Sequence, residues 1–341
     1  MTDRAAEPLP AVTVRRLRAL AAGADPREPD AWAARQGIGP LLLAAGEGGA
    51  RLLASGRQAE IAWQALAVHL ERCLGAFDAA GIPAIVLKGA ALALSHYAHP
   101  ALRPMGDIDV LVAPARWEEA ARVLAGLDWT VEDAAEHGAA FAGPGGVRLE
   151  LHGALVSCPG LFPLRFDDLL ARSSALGGGL DGRRLDDEDM VVHLSLHAAF
   201  QHGFRVRLGQ YVDFACLAAC TLDGRRLVAR AAAAGARRPV AAALAVVHGL
   251  LGVTPAPDAA EALAAHVPPG VRRWMDRVAP EPWRLLDGLP LARARWMLAG
   301  GAVCRARLLA GTLWPGRPDG SREVSPWKAL ARGRRLLQQL R

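Results

Sequence analysis

Long apolar runs, paired cysteines, aromatic residues and lysine are all scarce in this chain of 341 residues. The longest apolar run, Pro239 to Val253, is too short to cross a bilayer and contains His248. The N-terminus, MTDRAAEPLP, lacks the apolar core of a secretory leader. A cytoplasmic protein without a transmembrane segment is therefore expected. Five scattered cysteines, Cys73, Cys158, Cys216, Cys220 and Cys304, argue against a disulfide framework. Cys216 and Cys220 share a helix face, but no His or Cys pair has the spacing of a structural zinc site, so buried thiols are expected. Hydrophobic residues make up 52% of the chain and aromatics only 5%. Much of the remainder is alanine, which favours a helix-rich protein. Among the 40 basic residues only Lys88 and Lys328 are lysine.

What is present concentrates between Ile82 and Val112, IPAIVLKGAALALSHYAHPALRPMGDIDVLV. Asp107 and Asp109 stand two apart on an apolar run, and residues i and i+2 of a strand share a face. Ile108, Val110 and Val112 fall on the other face, which suits burial. Aspartate is a poor strand former. A hard divalent cation supplies a reason for two of them, because Mg²⁺ takes a few carboxylate oxygens and leaves its other positions to water and phosphate. Lys88-Gly89 lies where the strand Ala84 to Leu87 turns into a helix beginning near Ala90. A glycine there lets backbone N–H groups approach an anion, and Lys88 adds a point charge. After the turn Gly143-Pro144-Gly145-Gly146, the segment VRLELH places Arg148, Glu150 and His152 on one strand face. Pairing beside the Asp strand would make Glu150 a third carboxylate, the number that holds two metals for phosphoryl or nucleotidyl transfer. Arg103, in the turn before Asp107, is a phosphate candidate. His193 and His197 are one helical turn apart without an evident third ligand, and Arg205 and Arg207 read as a solvated basic turn.

The order LKG, helix, RPMGDIDVLV, then a strand carrying ELH resembles the uncharacterised bacterial nucleotidyltransferase-like proteins of the DNA polymerase β superfamily. The likeness is dense over residues 82–113, reaches Glu150 and His152, and continues weakly from His193 to Leu217, roughly half the chain in all. It implies an α+β fold with a small mixed sheet, Mg²⁺ (or Mn²⁺) as cofactor and an NTP as donor. By resemblance Asp107 and Asp109 are metal ligands and Glu150 is the third acidic position. Lys88 and Gly89 replace the superfamily's usual Gly-Ser phosphate signature, and Arg103, His152 and His197 fall among the residues expected around the nucleotide. His197 and Asp213 match a helix with a histidine and a downstream aspartate. The family also implies an accessory place in peptide or natural-product biosynthesis.

Three regions are expected. Residues 1–80 read as helices, Val12 to Ala21, Asp30 to Gly37, Pro40 to Ala45 and the long Arg51 to Ala80. Residues 81–183 hold the nucleotidyltransferase-like core, with a helix Ala115 to Leu127 and further strands at Trp129 to Glu132 and Ala139 to Ala142. Residues 184–341 are helical, opening at the acidic cluster Asp186 to Asp189, which suits a helix N-terminus. Ala302 to Arg341 carries nine Arg or Lys against Asp319 and Glu323, in a chain whose net charge is +6. That tail lacks the aromatic interleaving that stacks bases, so nucleic acid is a weakly supported partner. The partners expected are an NTP and an acceptor of unknown class, a small molecule, peptide or protein. Two rivals stand beside transfer: a metal-dependent glycosyltransferase, which also uses Asp-x-Asp, and an inactive binding or scaffold module of the same fold.

Overall fold

The computed structural model describes residues 9–135, 137–157, 161–278 and 291–313. Four helices lead the chain: α1 (Ala11–Ala24), α2 (Pro29–Arg35), α3 (Gly39–Ala44) and α4 (Ala50–Ala79). The last buries Leu52, Ala59, Leu66, Leu70, Cys73, Leu74 and Phe77, a stripe at helical spacing. Gly81, with φ +61°, ends it: the amides of Gly81 and Ile82 reach back to Asp78 O and Phe77 O.

The chain then builds one seven-stranded sheet from β1 (Ala84–Val86), β2 (Asp107–Val112), β3 (Thr130–Ala135), β4 (Gly138–Ala142), β5 (Arg148–His152), β6 (Ser174–Gly177) and β7 (Leu180–Arg184). Their spatial order is β3-β4-β5-β2-β1-β7-β6. The sheet is mixed: β2 runs antiparallel to β1 but parallel to β5, and β1 runs parallel to β7. Helices α5 (Lys88–Ser95), α6 (Trp117–Ala125) and α7 (Phe166–Arg172) connect the strands. Ile85, Val86, Ile108, Val110, Val112, Leu149 and Leu151 have no exposed surface, so the central strands are fully buried.

The α+β fold with a mixed sheet is the architecture expected, but β6 and β7 were not foreseen. Leu180–Arg184 is mostly polar, and the three glycines before it, all at positive φ, form the turn. Gly178 holds φ +62°, which strains any residue with a Cβ, and a Cβ there would also press on Leu94 Cδ2 at 2.3 Å.

Beyond the sheet come α8 (Asp187–Ser195), a π-helix (Leu196–Gln201), α9 (Leu208–Ala218), α10 (Gly224–Ala233), α11 (Arg237–Leu251), α12 (Pro257–Ala265) and α13 (Pro269–Val278). Two further helices follow, Leu291–Leu298 and Ala302–Leu313. Asp186 caps α8 by accepting from the amide of Asp189. A single buried apolar cluster runs from Leu17 to Leu308 through sheet and helices alike. Cys73 and Cys216 are buried free thiols, whereas Cys158 and most of the basic tail, residues 314–341, lie outside the described residues. No described helix is long and apolar enough to cross a membrane.

Candidate active site

Register assembles the carboxylates. On the parallel pair, Asp107 stands opposite Arg148, Asp109 opposite Glu150, and Leu111 opposite His152. Paired residues share a face of the sheet, so Asp107, Asp109, Glu150 and His152 converge. From the other neighbour, β1, the amide of Leu87 donates to Asp109 O at 2.9 Å, and the next residue is Lys88. Its Nζ lies 2.7 Å from Asp109 Oδ1. The same oxygen accepts from His152 Nε2 at 2.8 Å, and that nitrogen is 3.4 Å from Glu150 Oε2.

The turn that delivers Lys88 is strained. Lys88 holds φ +42°, a left-handed conformation that costs a residue with a Cβ about 1–2 kcal/mol. The expectation that Gly89 supplies the backbone freedom moves one residue earlier. A Cβ on Gly89 would meet Met105 at 3.5 Å, an ordinary contact. The ion pair with Asp109 holds Lys88 in place.

Charge in the cluster is unevenly compensated. Burial, with Asp109 and Glu150 beside it, pushes the Asp107 carboxyl up to about 6, against a smaller opposing pull from Lys88 and Arg103. Burial works against ionised Asp109, but Lys88 and His152 outweigh it and hold this carboxyl well below its usual range. The His152 bond lowers Glu150. Lys88 and His152 are pushed upward by these carboxylates despite their burial. Carboxylate oxygens in excess over ammonium are the donor set of a hard divalent cation, and ligand atoms of Asp109, Glu150 and His152 lie within 4.8 Å of one another. The residues therefore fit such an ion. His152 Nδ1 is buried with no partner, so the ring is held from one side only.

These groups open onto a cavity of about 640 Å³. Its carboxylate wall comprises Asp107, Asp109 and Glu150 together with Lys88 and Gly89. The lining also includes His137, whose ring stacks on that of His152 at 5.6 Å, and His197, Gln201, His202, Arg205 and Arg207, with Arg295 from the helix Leu291–Leu298. Gln201 Nε2 is 3.3 Å from His137 Nε2, and its Oε1 is 3.3 Å from His197 Nδ1. Burial pulls His197 and His202 down, and His137 down to about 4.

Arg103 also lines the cavity, but its guanidinium is committed. Nε and Nη2 donate to Asp213 Oδ1 and Oδ2, each at 2.8 Å, and Nη1 donates to Pro104 O at 3.0 Å. Tyr97 Oη adds a third bond to Asp213 at 2.7 Å. This fully buried carboxylate on α9 thus anchors the turn before β2, and Arg103, expected as a phosphate ligand, ties that turn to α9 while lining the cavity. His193 is wholly buried, 6.4 Å from the His197 ring centroid, and lines no part of the cavity. His137, Gln201 and Arg295 were not anticipated. A histidine in a loop and an arginine 145 positions after Glu150 have no local signature, and only the His-x-x-x-Gln spacing of His197 and Gln201 hinted at a shared face.

Residues 25–252 match the model of a family described as uncharacterised nucleotidyltransferases. The match covers more than half of the chain, which belongs to that family. No curated protein matches it in sequence. Among solved structures it is similar to the solution structure of the antibiotic-resistance factor ANT(2'')-Ia, at 19% identity and a TM-score of 0.36. That alignment spans 48% of this chain and 88% of the other.

Proposed function

We propose that this member of the uncharacterised nucleotidyltransferases moves a nucleoside monophosphate from an NTP to an acceptor hydroxyl and releases pyrophosphate, with Mg²⁺ (or Mn²⁺) as cofactor. The observation that carries the reading is the β2–β5 register, which sets Asp109 against Glu150 with Asp107 on the same face and Lys88 against Asp109. Asp107, Asp109 and Glu150 would hold the metal through oxygen donors. When bound, the ion supplies Lewis-acid polarisation of the transferred phosphoryl group and charge stabilisation for the leaving pyrophosphate.

The chain's own residues divide the remaining work. Glu150 would take a proton from an incoming hydroxyl, a role supported by the 39% exposure of its side chain against 8% for Asp109. Lys88 orients Asp109 and offers its other N–H donors to the donor's phosphates. His152 fixes Asp109 from behind, and Arg103 with Asp213 fixes the turn that delivers Asp107. The test follows labelled nucleotide and pyrophosphate with ATP, GTP, CTP and UTP, wild type beside Asp109→Asn. Wild-type-only, Mg²⁺-dependent pyrophosphate release supports the reading. Release of a nucleoside diphosphate would point to glycosyl transfer instead.

One observation favours a second reading. Lys88 already places a cation on Asp109, as a nucleotide-binding module without turnover would tolerate. Metal-dependent nucleotide binding with no pyrophosphate under any of the four donors would select that module.

A further inference from the structure

The wall facing the carboxylates hangs on the π-helix Leu196–Gln201, and a helix end leaves carbonyls without donors. The chain turns away here through Gly203 and Phe204, at φ +55° and +67°. The amide of Phe204 reaches back to Ala198 O rather than to the last residues of the turn. Arg295 supplies the missing donors. Its Nε donates to Phe200 O at 3.0 Å, and its Nη2 reaches Gln201 O at 3.4 Å and Ser157 Oγ at 3.3 Å. The guanidinium also lies over the Phe200 ring, 5.4 Å from its centroid.

What this cap holds is the Gln201 amide, set between His137 and His197, with the His202 ring edge-on to His197 at 4.4 Å. An amide between two imidazoles presents alternating lone pairs and N–H groups. An alcohol is recognised by such donors and acceptors, and the positive charge that a triphosphate calls for stands elsewhere on the lining, at Lys88, Arg205 and Arg207. The charge of Arg295 is directed at backbone carbonyls and Ser157. Arg295 also stands outside residues 25–252, the stretch that matches the family model.

We propose that Arg295 is a positioning residue: it caps the π-helix so that Gln201 holds His137 and His197 toward the cavity, and this imidazole–amide wall receives the hydroxyl acceptor. The inference rests on the transfer reading of the same cavity. It extends that site to a helix outside the family-matched stretch.

The test compares wild type with Arg295→Ala and Arg295→Lys in three measurements. Hydrogen exchange over residues 196–207 is expected to rise in Arg295→Ala while β2 and β5 stay protected, with Arg295→Lys between the two. Pyrophosphate release is expected to fall about tenfold or more in kcat, while the Kd of a non-hydrolysable Mg²⁺–ATP analogue changes by less than about threefold. Millimolar guanidinium, but not ammonium, is expected to restore part of the lost rate to Arg295→Ala, which a general loss of stability would not permit. Unchanged exchange over 196–207, or weakening of analogue binding in step with kcat, overturns the proposal. A wild type that releases no pyrophosphate defeats the transfer reading instead, and the exchange measurement still decides whether Arg295 caps the wall.

Discussion

On one side of the cavity, Asp107, Asp109 and Glu150 sit on adjacent central strands whose partners are set by backbone ladders. On the other, His197, Gln201 and His202 sit on and just beyond a π-helix, and their placement depends on side chains arriving from residues 137 and 295. The first wall is rigid because shifting it would break a sheet. The second is held by a handful of individual hydrogen bonds and two left-handed residues, so it is the part free to differ between proteins of the same fold. Under the proposed transfer, the chemistry falls to the first wall and recognition of the acceptor to the second.

The largest expected effects fall on the first wall and separate its two aspartates. Asp107→Asn and Asp109→Asn should each lower pyrophosphate release by about a thousandfold or more. Their stabilities should move in opposite directions in metal-free protein. Asp107 is crowded by Asp109 and Glu150, so Asn there relieves repulsion and raises stability by about 1 kcal/mol. Asp109 is the nearest counter-charge of buried Lys88 and accepts from His152, so Asn there weakens both contacts and destabilises by about 3 kcal/mol. Urea titrations in EDTA read both shifts. Movement in the same direction would remove the assigned difference between the two carboxylates.

Next in size is the tie between the walls. Asp213 on α9 holds Arg103 of the opposite wall through two bonds and Tyr97 through a third, with no exposure. Asp213→Asn should cost about 3–5 kcal/mol, because a buried guanidinium loses its counter-charge. Adding Arg103→Met should recover much of that loss, since the orphaned charge leaves with the side chain. A double variant as unstable as the sum of its parts would show that the pair is not a unit.

The same contrast explains what could be read from the chain alone. Asp107, Asp109 and Glu150 were legible because strand side chains alternate with period two, and three acids on apolar strands have few reasons to be there. Lys88 stood out against an arginine-rich background. The π-helix was not legible, since its wider turn at Leu196–Gln201 has no compositional mark and the run from Met190 reads as an ordinary amphipathic helix. Arg103 was placed correctly beside Asp107, yet its engagement with Asp213, 110 positions away, is a tertiary fact. The strand Leu180–Arg184 escaped because its alternation is weak.

A smaller, pH-dependent tie joins the end of α5 to the start of α8, the helix that leads into the π-helix. Asp187 Oδ1 is 3.1 Å from His96 Nε2 and 2.7 Å from Arg184 Nη1. Burial opposes its ionisation, but these partners hold its carboxyl down to about 2. A lowered carboxylate contributes stability that is present above its unfolded value near 4 and is lost as pH falls through 2. The contribution is about 2 kcal/mol or less after allowance for its partial exposure. Wild type should therefore lose stability between pH 4 and pH 2 more steeply than Asp187→Asn does, as followed by thermal unfolding across that range.

The smallest effect lies at the start of α9, where Gln36, Gly37 and Gly209 line another part of the cavity. Arg207, at the start of α9, offers no side-chain cap of its own. Gln36 supplies one from 172 residues away: its Oε1 accepts from the amide of Leu208 at 3.1 Å and its backbone carbonyl from Gly209 at 2.9 Å. The approach needs glycine, since a Cβ at Gly209 would lie 2.9 Å from Gly37 O. Gln36→Ala removes only the side-chain half of this cap and should cost about 1 kcal/mol. Gly209→Ala forces the backbones apart and should cost more. Both substitutions act at the foot of the helix carrying Asp213, so amide exchange in the first turn of α9 should rise with each while β2 stays protected. Equal exchange in β2 would mean that the two walls move as one body, and the contrast between them would then be one of chemistry alone.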